Sequence, residues 1–175
     1  MPDTDVAARV MSRYRGRMDG SLRDVEELCE EMMREATTDI GEATFKSQIL
    51  MVIQKDAKGL RFPVPNVIDM TGLKDAMAQR QESDEAFVGA LRCIASDLEA
   101  MAVISLGTAK IGEQHLLSLV LEHESTQFPR VWFAKVLGLE EGEDASLGPW
   151  KEPKDLHTCT FNTVLRPMQK VLQRN

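Results

Sequence analysis

IGEQHLLSLVLEH, residues 111–123, decides how the chain is read. A glycine and three polar residues lead into Leu116, Leu117, Leu119, Val120 and Leu121. At helical spacing these residues predict a short buried helix that opens at Gly112. The chain also holds FKSQILMVIQKD, residues 45–56, where Ile49, Leu50, Val52 and Ile53 fall on Leu116, Leu117, Leu119 and Val120 at an offset of 67.

Two further blocks coincide when the chain is slid along itself. At an offset of 66, Leu22, Val25, Cys29, Met32 and Ala36 fall on Val88, Leu91, Ala95, Leu98 and Ala102, and Gly72-Leu73 falls on Gly138-Leu139. Order and offset are kept over three blocks. The pattern predicts an all-α domain of two pseudo-symmetric repeats, residues 21–82 and 83–140, each burying its apolar stripe against the other.

The remaining segments are read into the same frame. Val6, Val10, Met11, Tyr14 and Met18 predict an N-terminal helix within residues 1–20. Ser21 stands where an N-cap is needed, with Asp24 three residues on. Behind it Leu22, Val25, Leu28, Cys29, Met32, Met33 and Ala36 make one stripe, with Glu26, Glu27, Glu30 and Glu31 off it. A third helix is expected over about residues 44–56. Gly59, Pro63 and Pro65 mark a loop after it, and short helices follow over 67–70 and 73–81. Ser83 caps a long helix, about 84–104, carrying Phe87, Leu91, Ile94, Leu98 and Met101. FPRVWFAKVLG, residues 128–138, places Pro129 in a first helical turn and Gly138 at a stop. Residues 141–175 are an acidic Gly/Pro linker and a C-terminal helix over Val164, Leu165, Met168, Val171 and Leu172. Alternating runs are short throughout, so strand signals are weak.

Composition narrows the function. The 175 residues carry a net charge of −7, which disfavours nucleic acid, because phosphate neutralisation requires Lys and Arg. The basic cluster Arg9, Arg13, Arg15 and Arg17 reads as a solvated face beside the acidic helix. Ten methionines and 5% aromatics suit an adaptable aliphatic core. Cys29, Cys93 and Cys159 are an odd set without a secretory signal, which points to reduced thiols in a cytoplasm. No window approaches the roughly 20 apolar residues of a spanning helix, so no membrane partner is expected.

IGEQHLLSLVLEH followed by FAKVLGLE resembles the repeat of the Clp ATPase N-terminal domain. That repeat has a Gly-Thr-Glu-His run before an apolar pair and a Val-Leu-x-x-Leu-Gly-Val type of ending. Gly112, His115 and Leu116-Leu117 fall on the run, and Val136-Leu137-Gly138-Leu139 on the ending. In the first half Gln48 takes the histidine place. The family's Thr-Glu pair becomes Lys46-Ser47 and Glu113-Gln114. Ser47 and Gln114 carry no charge to hold a guanidinium, so a phosphorylated-arginine ligand does not follow from the resemblance. The chain has no phosphate-binding Gly-x-x-x-x-Gly-Lys-(Ser/Thr) loop. The resemblance therefore implies a stand-alone module, an adaptor or regulator of a Clp chaperone–protease system, that binds protein without chemistry. Its partner would be a Clp ATPase, a substrate peptide or a partner helix, and no cofactor or metal is implied.

The candidate binding rims are the polar ends of the two repeated helices, Phe45, Lys46, Ser47, Gln48 and Gly112, Glu113, Gln114, His115. Helix N-termini there would offer amide donors to acidic groups. Trp150, in a Gly-Pro loop, is either a partner anchor or a packing residue. His115 and His123 read as surface or cap residues, and Cys29 and Cys93 as core thiols. Two other functions are open. His157 and Cys159 suggest a thiol hydrolase. The amphipathic C-terminal segment suggests a helical assembly component of a secretion or phage system. Oligomeric state is not legible.

Overall fold

The computed structural model describes residues 20–38, 49–54, 64–126, 128–138, 146–153 and 165. Within them the chain runs α1 (Leu22–Thr38), β1 (Ile49–Gln54), β2 (Val64–Asp69), α2 (Met70–Gln79), α3 (Asp84–Asp97), β3 (Ala100–Ile111), β4 (Gln114–His123), β5 (Arg130–Leu137) and β6 (Ser146–Leu147). The strands form one antiparallel sheet in the order β2-β1-β3-β4-β5-β6, β6 being two residues long.

The all-α, helical-repeat expectation is thus overturned. Residues 114–123 form a strand, as do residues 49–54, 100–111 and 130–137, and Gly112-Glu113 are the turn between two of them. The long helix expected to reach Ile104 stops at Asp97. Leu98 caps it, Glu99 turns the chain at φ 50°, and β3 begins at Ala100. Residues 67–69, expected in a short helix, belong to β2. The N-terminal helix lies outside the described residues, as do residues 44–48 and all of the C-terminal segment but Leu165.

The physical reason lies in how the sheet is covered. Apolar residues on both faces of a strand leave a nearly unbroken hydrophobic run, which has no period of its own. In β4, Leu117, Leu119 and Leu121 join one core, with Met51, Ile53, Ala102, Ile104, Leu106 and Trp132. Their neighbours Leu116 and Val120 alternate to the opposite face and are also buried. The hairpin between β3 and β4 fixes the register. Ile111 pairs with Gln114, and Gly112 between them has φ 61°. A glycine at positive φ in the first position of a two-residue loop is what a type II′ turn demands.

Helix α1 covers the first face. Its buried residues are Val25, Leu28, Cys29, Met32, Met33 and Ala36, the stripe expected from sequence. The Ser21 hydroxyl accepts from the Asp24 amide at 3.3 Å, the expected cap. Each large side chain so buried contributes about 1.5–3 kcal/mol. Helices α2 and α3 lie over β1 and β3 on the second face, where Leu50, Val52, Leu91, Ala95 and Val103 form a smaller core. Ser83 caps α3 as expected, accepting from the Ala86 amide at 3.1 Å. Among the described residues no helix is long and apolar enough to cross a membrane.

The offset that suggested a repeat matches α1 to α3 and β1 to β4. The matched elements do not build equivalent units. One helix lies on each face of the same sheet, and Gly72 is inside α2 whereas Gly138 follows β5.

Candidate functional site

Helices α2 and α3 pack on the β1–β3 side of the second face. The β4–β5 side of that face has a different cover. Pairing sets Leu116 opposite Lys135, Ser118 opposite Phe133, and Val120 opposite Val131. Small residues separate the two halves on β3. Gly107 pairs with Ser118, whose hydroxyl donates to the Gly107 carbonyl at 3.1 Å. Beyond this seam lies an apolar groove of about 400 Å³ lined by Leu116, Phe133, Lys135, Leu137, Gly148, Pro149, Lys151 and Pro153.

The far wall of the groove is a strap, residues 146–153. It follows the outer edge of β5: Phe133 and Lys151 exchange two backbone hydrogen bonds at 2.8 Å, and the Gly148 amide donates to the Lys135 carbonyl at 2.8 Å. Alternation along the strap sends successive residues to opposite faces. Pro149, Lys151 and Pro153 line the groove, while Trp150 and Glu152 turn towards α1.

Two contacts hold the strap to the body. The Trp150 indole donates to the Thr37 hydroxyl at 3.1 Å, and that hydroxyl donates to the Met33 carbonyl at 2.8 Å. Glu152 takes both arms of Arg130, Nε at 3.0 Å and Nη2 at 2.9 Å. Arg130 also reaches Glu26 of α1 at 3.2 Å and lies over the Trp132 ring at 4.6 Å. The hydrogen bond from Arg130 holds the Glu152 carboxyl below its usual range, and the same bond raises the guanidinium's affinity for its proton. The wall is therefore clamped to helix and sheet by side chains at both its apolar and its charged end.

A second anchorage concerns His123, which was expected at the surface and is 5% exposed. Its Nε2 lies 2.9 Å from the Gly20 carbonyl, and its Nδ1 accepts from the Ser125 amide at 3.1 Å. A ring nitrogen that accepts from an amide carries no proton, so the proton sits on Nε2 and is donated to Gly20. This pins the entry of α1 to the end of β4. On the opposite face Glu122, also buried, accepts from the Leu165 amide at 3.0 Å, and Leu165 packs on the smaller core.

The residues expected to form the binding rims fare as follows. Phe45, Lys46, Ser47 and Gln48 lie outside the described residues, as do His157 and Cys159. Gly112 and Glu113 form the turn of the β3–β4 hairpin, and Gln114 and His115 open β4. There is no helix N-terminus at Gly112, and the expected amide donors of a first helical turn do not exist there. The hairpin tip nevertheless stands beside the groove, since Leu116 follows His115 directly. Trp150 is a packing residue of the strap. The groove residues Phe133, Lys135, Leu137, Gly148, Pro149, Lys151 and Pro153 escaped the sequence reading. Their signal was the alternation Val131, Phe133, Lys135, Leu137, which only a strand frame exposes.

The two described thiols part company. Cys29 is fully buried on the inner face of α1, and burial pushes its thiol well above the ordinary range. Cys93, expected in the core, is exposed on α3. The thiolate is the reactive form, so iodoacetamide will label Cys93 in the folded protein and spare Cys29 until the chain is denatured. Mass spectrometry of the labelled peptides reads the difference, and labelling of native Cys29 at the rate of Cys93 would contradict the burial. Among the described residues no group of three or more His, Cys, Asp and Glu side chains is placed to hold a metal ion.

Comparison of the chain with family models, with curated proteins and with solved structures found no match.

Proposed function

We propose that the chain is a protein-binding module, acting as an adaptor or regulator, that receives an apolar segment of its partner in the groove between β4, β5 and the strap. One observation carries this reading. The floor of the groove is hydrocarbon from Leu116 and Phe133, and Leu137 at its end is 48% exposed. An isolated exposed leucine has no meaning by itself, but one continuous with an apolar trough marks an interaction site. The clamped strap adds a second support. A wall that is ordered before binding spares the partner the entropy of ordering it.

The Clp resemblance supplied a candidate partner through a helical geometry that the chain does not adopt. Binding of a protein segment remains, with a different surface: a groove on a sheet in place of helix ends.

The test is selection of a random peptide library displayed on phage against the immobilised chain. Selected peptides should carry paired apolar residues, and Leu137→Asp, which puts a charge against the apolar trough, should weaken their binding by more than about tenfold, or 1.4 kcal/mol. Leu137 is at the surface, so circular dichroism should be unchanged. Peptides that bind Leu137→Asp as well as the parent chain would remove the groove from the interface.

A further inference from the structure

The groove's rim has a charge opposite to that of the molecule around it. The chain as a whole carries −7, yet among the described residues the ionisable side chains lining the groove are Lys135 and Lys151. Both are exposed. Elsewhere arginines find carboxylates readily: Arg23 bonds Glu27 at 3.3 Å, Arg34 bonds Glu31 at 2.7 Å, and Arg130 bonds two. Among the described residues no carboxylate pairs with Lys135 or Lys151.

Their position suits a role in recognition. A lysine lays its hydrocarbon stem along an apolar surface and keeps its ammonium in water. Lys135 stands on β5 across from Leu116, and Lys151 stands on the strap across from Phe133. The two ammonium groups thus flank an apolar floor from the sheet side and the wall side.

We infer that the segment bound in this groove is both apolar and acidic: a short peptide stretch whose leucine-like side chains fill the trough while its Asp or Glu side chains meet Lys135 and Lys151. The inference rests on the protein-binding reading and gives that reading its partner chemistry. Rim charges of this kind add little affinity but select among partners, because a like charge at the same place is repelled. A basic segment is drawn weakly to the acidic body at long range and rejected at the groove itself.

Three fluorescein-labelled peptides of one length decide it, sharing the same leucine positions and differing only in their polar positions: aspartate and glutamate, lysine, or serine and glutamine. Fluorescence polarisation with the full chain should give the acidic peptide an affinity at least about tenfold above the lysine peptide. Added salt should narrow that gap. In the K135E/K151E double variant the order of the acidic and lysine peptides should reverse, and an unchanged circular dichroism spectrum reports that the fold is intact. Equal affinity of the acidic and lysine peptides, or an order unchanged by the double variant, overturns the charge inference and leaves the groove as an apolar site. Failure of all three peptides to bind overturns the protein-binding reading as well. Self-association of the chain that Leu137→Asp weakens, with no peptide bound, would give the groove to a second copy and overturn the acidic partner.

Discussion

Alanine at position 119 is expected to lower the stability of the chain by about 2–5 kcal/mol, the usual cost of deleting a buried leucine and leaving part of its cavity behind. Leu119 is fully buried between α1 and the strands on either side. The informative result is the series. Leu117→Ala and Leu121→Ala point to the same core and should cost as much. Ser118→Ala, between them, removes one hydrogen bond to Gly107 and should cost about 0.5–1.5 kcal/mol. Urea denaturation of the four variants therefore reads the period of the segment. Costs that alternate at every second residue belong to a strand. Costs that recur at every third or fourth residue would restore the helix that the sequence suggests.

The second large effect is expected at Trp132. Its ring is 8% exposed, packs in the main core and supports the Arg130 guanidinium. Trp132→Ala should cost about 3–5 kcal/mol. It should also weaken Arg130's hold on Glu26 and Glu152, since the planar guanidinium loses the surface it rests on. The coupling is measurable. Arg130→Ala should cost less in the Trp132→Ala background than in the parent chain, by about 0.5–1 kcal/mol for an exposed cation over a ring. Strictly additive costs would mean that the stacking contributes nothing and that Arg130 acts only through its carboxylates. Groove binding should fall in both variants, because the strap that forms the wall is held through Glu152.

Helix α1 was legible in the sequence, with its cap, its stripe and nearly its limits. It has one face in the core and one in water, so its period is written in the alternation of apolar and acidic residues. The same holds for the Ser83 cap of α3. The strands were not legible for the opposite reason. Leu116 to Leu121 are covered on both faces, so a single serine is the only polar residue in the run, and the leucines by themselves favour a helix. Residues 84–104 show how the error spreads: Leu98 and Met101 extend the helical spacing beyond Asp97, where the chain has already turned at Glu99. The β-branched Val103, Ile104, Thr108 and Ile111 were the contrary signal. Of the candidate site, the hairpin residues Gly112 to His115 were found for a reason that does not hold, and they stand beside the groove without forming it. Phe133, Lys135 and Leu137 meet Pro149 and Lys151 only through pairing between strand and strap, which no local pattern encodes. Trp150 divided evenly between anchor and packing residue in the sequence; its indole bonds Thr37 and its ring packs against the main core.

The order in which the chain assembles its main core has a consequence during synthesis. Helix α1 is made early, but the surface it buries against includes Leu117, Leu119 and Leu121 of β4, and Leu147 and Trp150 of the strap. At about 5–20 residues per second, on the order of ten seconds separate the emergence of Met32 and Met33 from that of β4. During that interval a complete amphipathic helix leaves the ribosome with its sticky side bare. The apolar face of the newborn helix therefore stays uncovered until the β3–β4 hairpin has been made.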